Sequence, residues 1–192
     1  TPAHFFPGAV VNPYKYREGE SIPQYLKLEK KLICGARFII QQLGFDARKM
    51  QEQLFYVAER GYDVPMIANV FMLTKTAASL MRRGDIAGCI VTDELMAELE
   101  EESDANALRP GYARGKRIER AAKQIAIARG LGYAGVHIGG VGLVIEAVAA
   151  IDEIRLRHAV ALFYVRIGKG GCLLQRHIAL AGQDVAGGQI GV

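Results

Sequence analysis

Short apolar runs alternate along the chain with longer amphipathic stretches, and the two periods predict strands alternating with helices. Gly8 to Asn12 (GAVVN) reads as a first strand closed by Pro13. Ser21-Ile22-Pro23 predicts a helix start with proline in the first turn, where its missing N–H costs nothing. Ile22, Tyr25, Leu28 and Leu32 then recur at helical spacing up to Gly35. Phe38 to Gly44 is a second strand, apolar through Ile40 and ending on Gln41 and Gln42. A helix follows from Ala47 to Arg60, with Met50, Leu54 and Val57 on one face and Gly61 as its stop. Pro65 to Leu73 (PMIANVFML) is a third strand, with a short helix after it to Arg83 and another around Asp93 to Glu102. SDANALRPGYARG predicts a polar loop leading into a long helix whose Ile118, Ala121, Ala122, Ile125 and Ala128 form one buried stripe. Gly135 to Gly140 (GVHIGG) is a fourth strand, and Leu143 to Ile154 the helix behind it.

Successive strand-then-helix units define an α/β protein with a parallel sheet. Their number suggests the second half, about four β/α units, of an eight-stranded TIM-type barrel, with a doubly wound open sheet as the rival. Four parallel strands cannot close a barrel, and their exposed edges invite pairing. The expectation is therefore a fragment, a chain whose first half lies elsewhere, or an obligate homo-oligomer. From about Arg155 the character changes: HAVALFYVRIG reads as one more strand, and a glycine-rich tail follows. The expected division is a partial barrel over residues 1–156 and a C-terminal extension over 157–192.

Composition narrows the function. With 192 residues, 51% of them hydrophobic and 23% charged, the chain can bury a sizeable core. The net charge of +4 is modest and its basic residues sit beside acidic ones, as in KLEKK and RIER, so solvated helix faces explain them better than nucleic acid does. Cys34, Cys89 and Cys172 are far apart and odd in number, which argues against a disulfide framework or a metal site and fits a reducing cytoplasm. No apolar run approaches the roughly 20 residues that span a bilayer.

In a β/α barrel the chemistry sits at the C-terminal ends of the strands. Asn12 ends the first strand and Gln42 the second. Alternation puts Phe38, Ile40 and Gln42 on one side and Ile39, Gln41 and Leu43 on the other, so only one glutamine can share the mouth with Ile40. On the first helix, Gln24, Lys27 and Lys31 stand at i, i+3 and i+7, one polar face that could meet the phosphates of a nucleotide cofactor. GYARGK is one residue short of a phosphate loop and follows no strand, whereas the Gly139-Gly140-Val141-Gly142 turn follows a strand and opens a helix. His137 lies mid-strand between apolar residues, as a satisfied core histidine does, and MAELEEESD reads as a solvated helix end.

The run GAVVNPYKYREGESIPQYLKLEKKLICGARFIIQQLGFD resembles the methylenetetrahydrofolate reductase family. The likeness continues more weakly through PMIANVFMLTKTAASLMRRGDIAGCIVTDELM and GVHIGG, covering roughly Pro7 to Ile154. The resemblance implies a flavin-dependent β/α barrel that uses FAD and NAD(P)H to reduce 5,10-methylenetetrahydrofolate to 5-methyltetrahydrofolate, this chain being its later half. It gives Gln42 the role of bonding the pterin of the folate substrate, with Gln41 where the family usually has Thr. It places Gln24, Lys27 and Lys31 at flavin-contacting helix positions and Asn12 at the flavin site. Thr76 falls near the family's stacking aromatic, HIGGVGL lacks its arginine for the folate tail, and its catalytic acid falls before Thr1. Two classes follow: a flavoenzyme of one-carbon metabolism completed by a missing half, or a non-catalytic folate- or flavin-binding barrel piece or folate-dependent methyl-transfer domain.

Overall fold

The computed structural model describes residues 5–86, 88–139 and 162–163. The elements run β1 (Gly8–Val11), α1 (Glu18–Ile33), β2 (Phe38–Gln41), α2 (Ala47–Glu59), β3 (Met66–Phe71), α3 (Lys75–Arg83), α4 (Asp93–Leu108), α5 (Tyr112–Leu131), β4 (Gly135–Gly139) and β5 (Leu162–Phe163). All neighbouring strands are parallel and their order across the sheet is their order in the chain. A doubly wound sheet reverses its strand order at a switch point; no reversal occurs among the described residues. The fold is α/β with a parallel sheet, consistent with part of a TIM-type barrel. β5 realises the strand expected in HAVALFYVRIG, while the helix expected over Leu143 to Ile154 and the turn at residues 140–142 lie outside the described residues.

Helices cover one face of the sheet. Val11, Ile39, Ala68, Val70, Val136 and Ile138 join Leu28 and Leu32 of α1, Met50 and Val57 of α2, and Ala121, Ile125 and Ala128 of α5 in one buried cluster. Small residues on α5 let it lie close to β3 and β4, which explains why the predicted stripe is rich in alanine. Between α1 and α2 the contact is polar at its edge: Tyr25 stacks on Tyr56 with ring centroids 4.6 Å apart and donates to Glu52 at 2.8 Å, and Tyr56 donates to Glu29 at 2.6 Å.

Local differences from the expected elements have identifiable causes. α1 starts three residues earlier than the Ser21 start, at Glu18, because Arg17 and Glu20 close a capping arrangement, Arg17 N donating to Glu20 at 3.4 Å. Pro23 therefore lies inside the helix, where Gly19 loses its usual backbone donor on an exposed side. Ile22 points outward at 57% exposure, and Ser21 instead joins Tyr25, Leu28 and Leu32 in the buried stripe, its hydroxyl donating to the Pro13 carbonyl at 3.3 Å. The long polar loop predicted before α5 shrinks to the three residues 109–111, since α4 continues to Leu108. MAELEEESD is thus mid-helix, and Glu102, expected on a solvated end, is buried against Arg120. GYARGK forms the start of α5, with Gly111 at its N-cap.

Gln53 of α2 is fully buried, and neither its Oε1 nor its Nε2 has a partner among the described residues. A buried amide without partners costs about 1–3 kcal/mol, whereas an apolar side chain of similar length carries no such cost. Gln53→Met is therefore expected to raise the stability of the chain by about 1 kcal/mol, read as a higher urea midpoint at unchanged slope.

Candidate functional site

On the sheet face opposite the helices, alternation and register decide which side chains meet. Val10, Ile40, Ile67 and Gly135 are mutual register partners and form one row across β1 to β4. One step towards the C-terminal ends, Asn69 pairs with His137. Continuing the β1–β2 and β2–β3 registers places Asn12 level with Gln42, and Gln42 level with Asn69. The open face thus carries a row of polar groups, Asn12, Gln42, Asn69 and His137, above an apolar row. All four are half-buried. Below them, Phe38 lies over Gly8, where a Cβ would come within 2.2 Å of its ring.

Asn12 is already engaged: its Nδ2 donates to the Gly88 carbonyl at 2.9 Å and its Oδ1 accepts from Tyr14 N at 3.1 Å. Gln42 accepts from Leu43 N at 3.1 Å. Both amides converge on Gly88, whose φ of +81° suits glycine; a Cβ there would lie 3.0 Å from Asn12 Nδ2 and 3.6 Å from Gln42 Nε2. Asn12 and Gln42, predicted separately from two strand ends, are brought together by this loop.

Gln41 goes the other way. It is 1% exposed on the helix side, where its Nε2 donates to the Tyr14 hydroxyl and its Oε1 accepts from the Tyr133 hydroxyl, which also lies 3.1 Å from the Met50 carbonyl. Burial pushes both tyrosine hydroxyls up from their ordinary range, so both stay protonated. Tyr14 in turn packs on Gly44, where any Cβ would come within 2.2 Å of the ring. This network holds the strand end that presents Gln42.

The helix residues divide. Gln24 lines a cavity of about 460 Å³ with Tyr14, Lys15, Tyr16, Glu20 and Cys89, beside the C-terminal end of β1. Lys27 is exposed and does not line it, and Lys31 donates to the Val10 carbonyl on the edge of β1 away from β2. Thr76 is exposed at the start of α3.

Asn69 and His137 join the site through strand register, and His137 stands half-buried in this row instead of in the core. Its Nδ1 is 3.2 Å from Asn69 Oδ1, so the tautomer with hydrogen on Nδ1 donates to Asn69 and leaves Nε2 as an acceptor. Burial lowers the His137 pKa from its ordinary value. On acidification the unfolded chain then takes up a proton before the folded one does, so His137 contributes stability that falls as pH drops below about 6.5. In urea titrations His137→Gln is expected to lose less stability between pH 7 and pH 5 than the parent chain does.

A parallel β/α sheet with a polar row at its C-terminal rim is consistent with part of a TIM-type barrel, in which such rims carry the functional groups. A sequence model of the methylenetetrahydrofolate reductase family matches residues 6–148. The chain belongs to that family, a family of oxidoreductases in folate one-carbon metabolism. A search of curated proteins finds no match.

Proposed function

We propose that this chain supplies the folate-binding half of a reductase that converts 5,10-methylenetetrahydrofolate to 5-methyltetrahydrofolate, with FAD and NAD(P)H as cofactors. The observation that carries the reading is the position of Gln42 on the open face, level with Asn69 and beside Asn12. A carboxamide offers a donor and an acceptor side by side, which complements the amino-oxo edge of a pterin, and Val10 and Ile40 offer its ring an apolar floor.

Gln24, with Lys15 and the two tyrosines of the cavity beside α1, supplies the donors and ring faces that would hold a flavin. When bound, the flavin supplies hydride transfer to the folate. This chain's residues bind and orient: Gln42 fixes the pterin edge, and His137 Nε2 offers an acceptor in the same row. Opening the methylene bridge needs an acid, and the row Asn12, Gln42, Asn69 and His137 holds no carboxylate. The acid is accordingly supplied by the complementary half, from a preceding segment or another subunit, and the arrangement is the later half of a TIM-type barrel in a cytoplasmic protein. The engagement of Asn12 and Lys31 in protein contacts favours a second reading, a folate-binding domain without flavin.

The absorption spectrum of the purified chain, before and after adding flavin and tetrahydrofolate, separates the two. Flavin retention together with folate binding supports the reductase half, whereas folate binding by a colourless protein that takes up no flavin supports the second reading. Turnover by the purified chain alone would refute the assignment of the acid to another half.

A further inference from the structure

A second cavity, of about 410 Å³, opens between the start of α3, α4 and the start of α5, away from the row just described. Its wall is rich in donors. Lys75, Arg114 and Arg117 line it, with the hydroxyls of Thr74, Thr76 and Ser103. The acceptors nearby are committed. Glu102 pairs with Arg120, whose guanidinium also lies 3.5 Å from Glu98. Asn106 Oδ1 accepts from Gly111 N at 3.1 Å and Ala113 N at 3.2 Å, and Thr74 Oγ1 from Ala77 N at 3.1 Å. Two guanidinium donors remain buried without a partner among the described residues, Arg117 Nε and Arg120 Nη1. A buried charged donor without an acceptor is costly, and among the described residues no uncommitted carboxylate lines this cavity to relieve Arg117.

The unpartnered Arg117 Nε, with Lys75 and three hydroxyls on the same wall, selects a ligand made of acceptors. We propose that this cavity binds a compact oxyanion, a carboxylate or a phosphate, with Arg117 as its principal contact and Lys75 beside it. The guanidinium fork matches the two oxygens of either group, and α3 and α5 both turn their N-terminal ends to the cavity, which adds favourable field for an anion. The segment GYARGK thus contributes through Gly111 at a helix start, not as a phosphate loop. None of these residues belongs to the polar row, and Thr76 alone among them is a position that the family resemblance ties to the substrate.

The test is calorimetric titration of the purified chain with inorganic phosphate and, separately, with glutarate. Saturable binding with a Kd of about 1 mM or tighter is expected for at least one of them, weakened about tenfold or more in Arg117→Gln and unchanged in Lys123→Gln on the outer face of α5. The stronger of the two titrations identifies phosphate or carboxylate as the preferred group. Circular dichroism establishes that the variants are folded. If Arg117→Gln does not fold, Lys75→Gln, at an exposed position, carries the test and is expected to weaken binding several-fold. Absence of saturation with both anions would overturn the proposal. So would binding of equal strength in folded Arg117→Gln, or in Lys75→Gln where that variant carries the test.

Discussion

Gly44→Ala is expected to destabilise the chain strongly, lowering its melting temperature by many degrees. The added methyl would stand 2.2–2.3 Å from three atoms of the Tyr14 ring, well inside van der Waals contact. Tyr14 is only 5% exposed and is a rigid ring, so relief requires moving the ring or the backbone that carries it. Overpacking of this kind costs about 1–3 kcal/mol, and displacing Tyr14 also strands the Gln41 amide it bonds, for about 1–3 kcal/mol more. Together these come to about 2–6 kcal/mol, a large share of the stability of a small domain, about 5–15 kcal/mol. Thermal melting followed by circular dichroism checks this. A transition within a degree or two of the parent's would show that the Tyr14 ring can move freely.

Gln41→Leu keeps roughly the volume and removes both hydrogen bonds. It leaves the Tyr14 and Tyr133 hydroxyls buried without Gln41, although Tyr133 retains the Met50 carbonyl at 3.1 Å. The expected loss is about 2–4 kcal/mol, each stranded polar group costing about 1–3. Urea denaturation measures it. Tyr133→Phe should cost less than Gln41→Leu, because it leaves the Tyr14 bond in place; the reverse order would mean that the Met50 contact dominates.

Much of this arrangement is legible in the linear chain, for a definite reason. Strands and helices differ in the period at which apolar residues recur, so β1 to β4 and the buried stripes of α2 and α5 can be read directly. The same alternation separates Gln42 from Gln41. What escapes is whatever depends on partners distant in sequence. Gln41 reads as a departure from the family pattern until Tyr14 and Tyr133, 27 and 92 residues away, are seen to close on it. Asn69 and His137 join the site only through strand register, which a single strand does not carry. Errors at α1 and α4 have the opposite origin, in local signals taken too literally. Pro23 looked like a helix start because proline favours the first turn, and the polar stretch in SDANALRPG looked like a loop although an exposed face of α4 accommodates it. The cofactor face was only partly legible: spacing puts Gln24, Lys27 and Lys31 on one side, yet Gln24 alone lines the cavity and Lys31 turns to the edge of β1.

The central claim is that the open face binds a pterin through Gln42. Calorimetric titration of the parent chain, Gln42→Ala and His137→Gln with tetrahydrofolate tests it most directly, with circular dichroism and melting to verify the fold. The account predicts that Gln42→Ala keeps its fold and binds at least about tenfold more weakly, a loss of about 1.4 kcal/mol or more. His137→Gln should lose less. Unchanged affinity in a folded Gln42→Ala would contradict the account and return this glutamine to a plain strand-end residue.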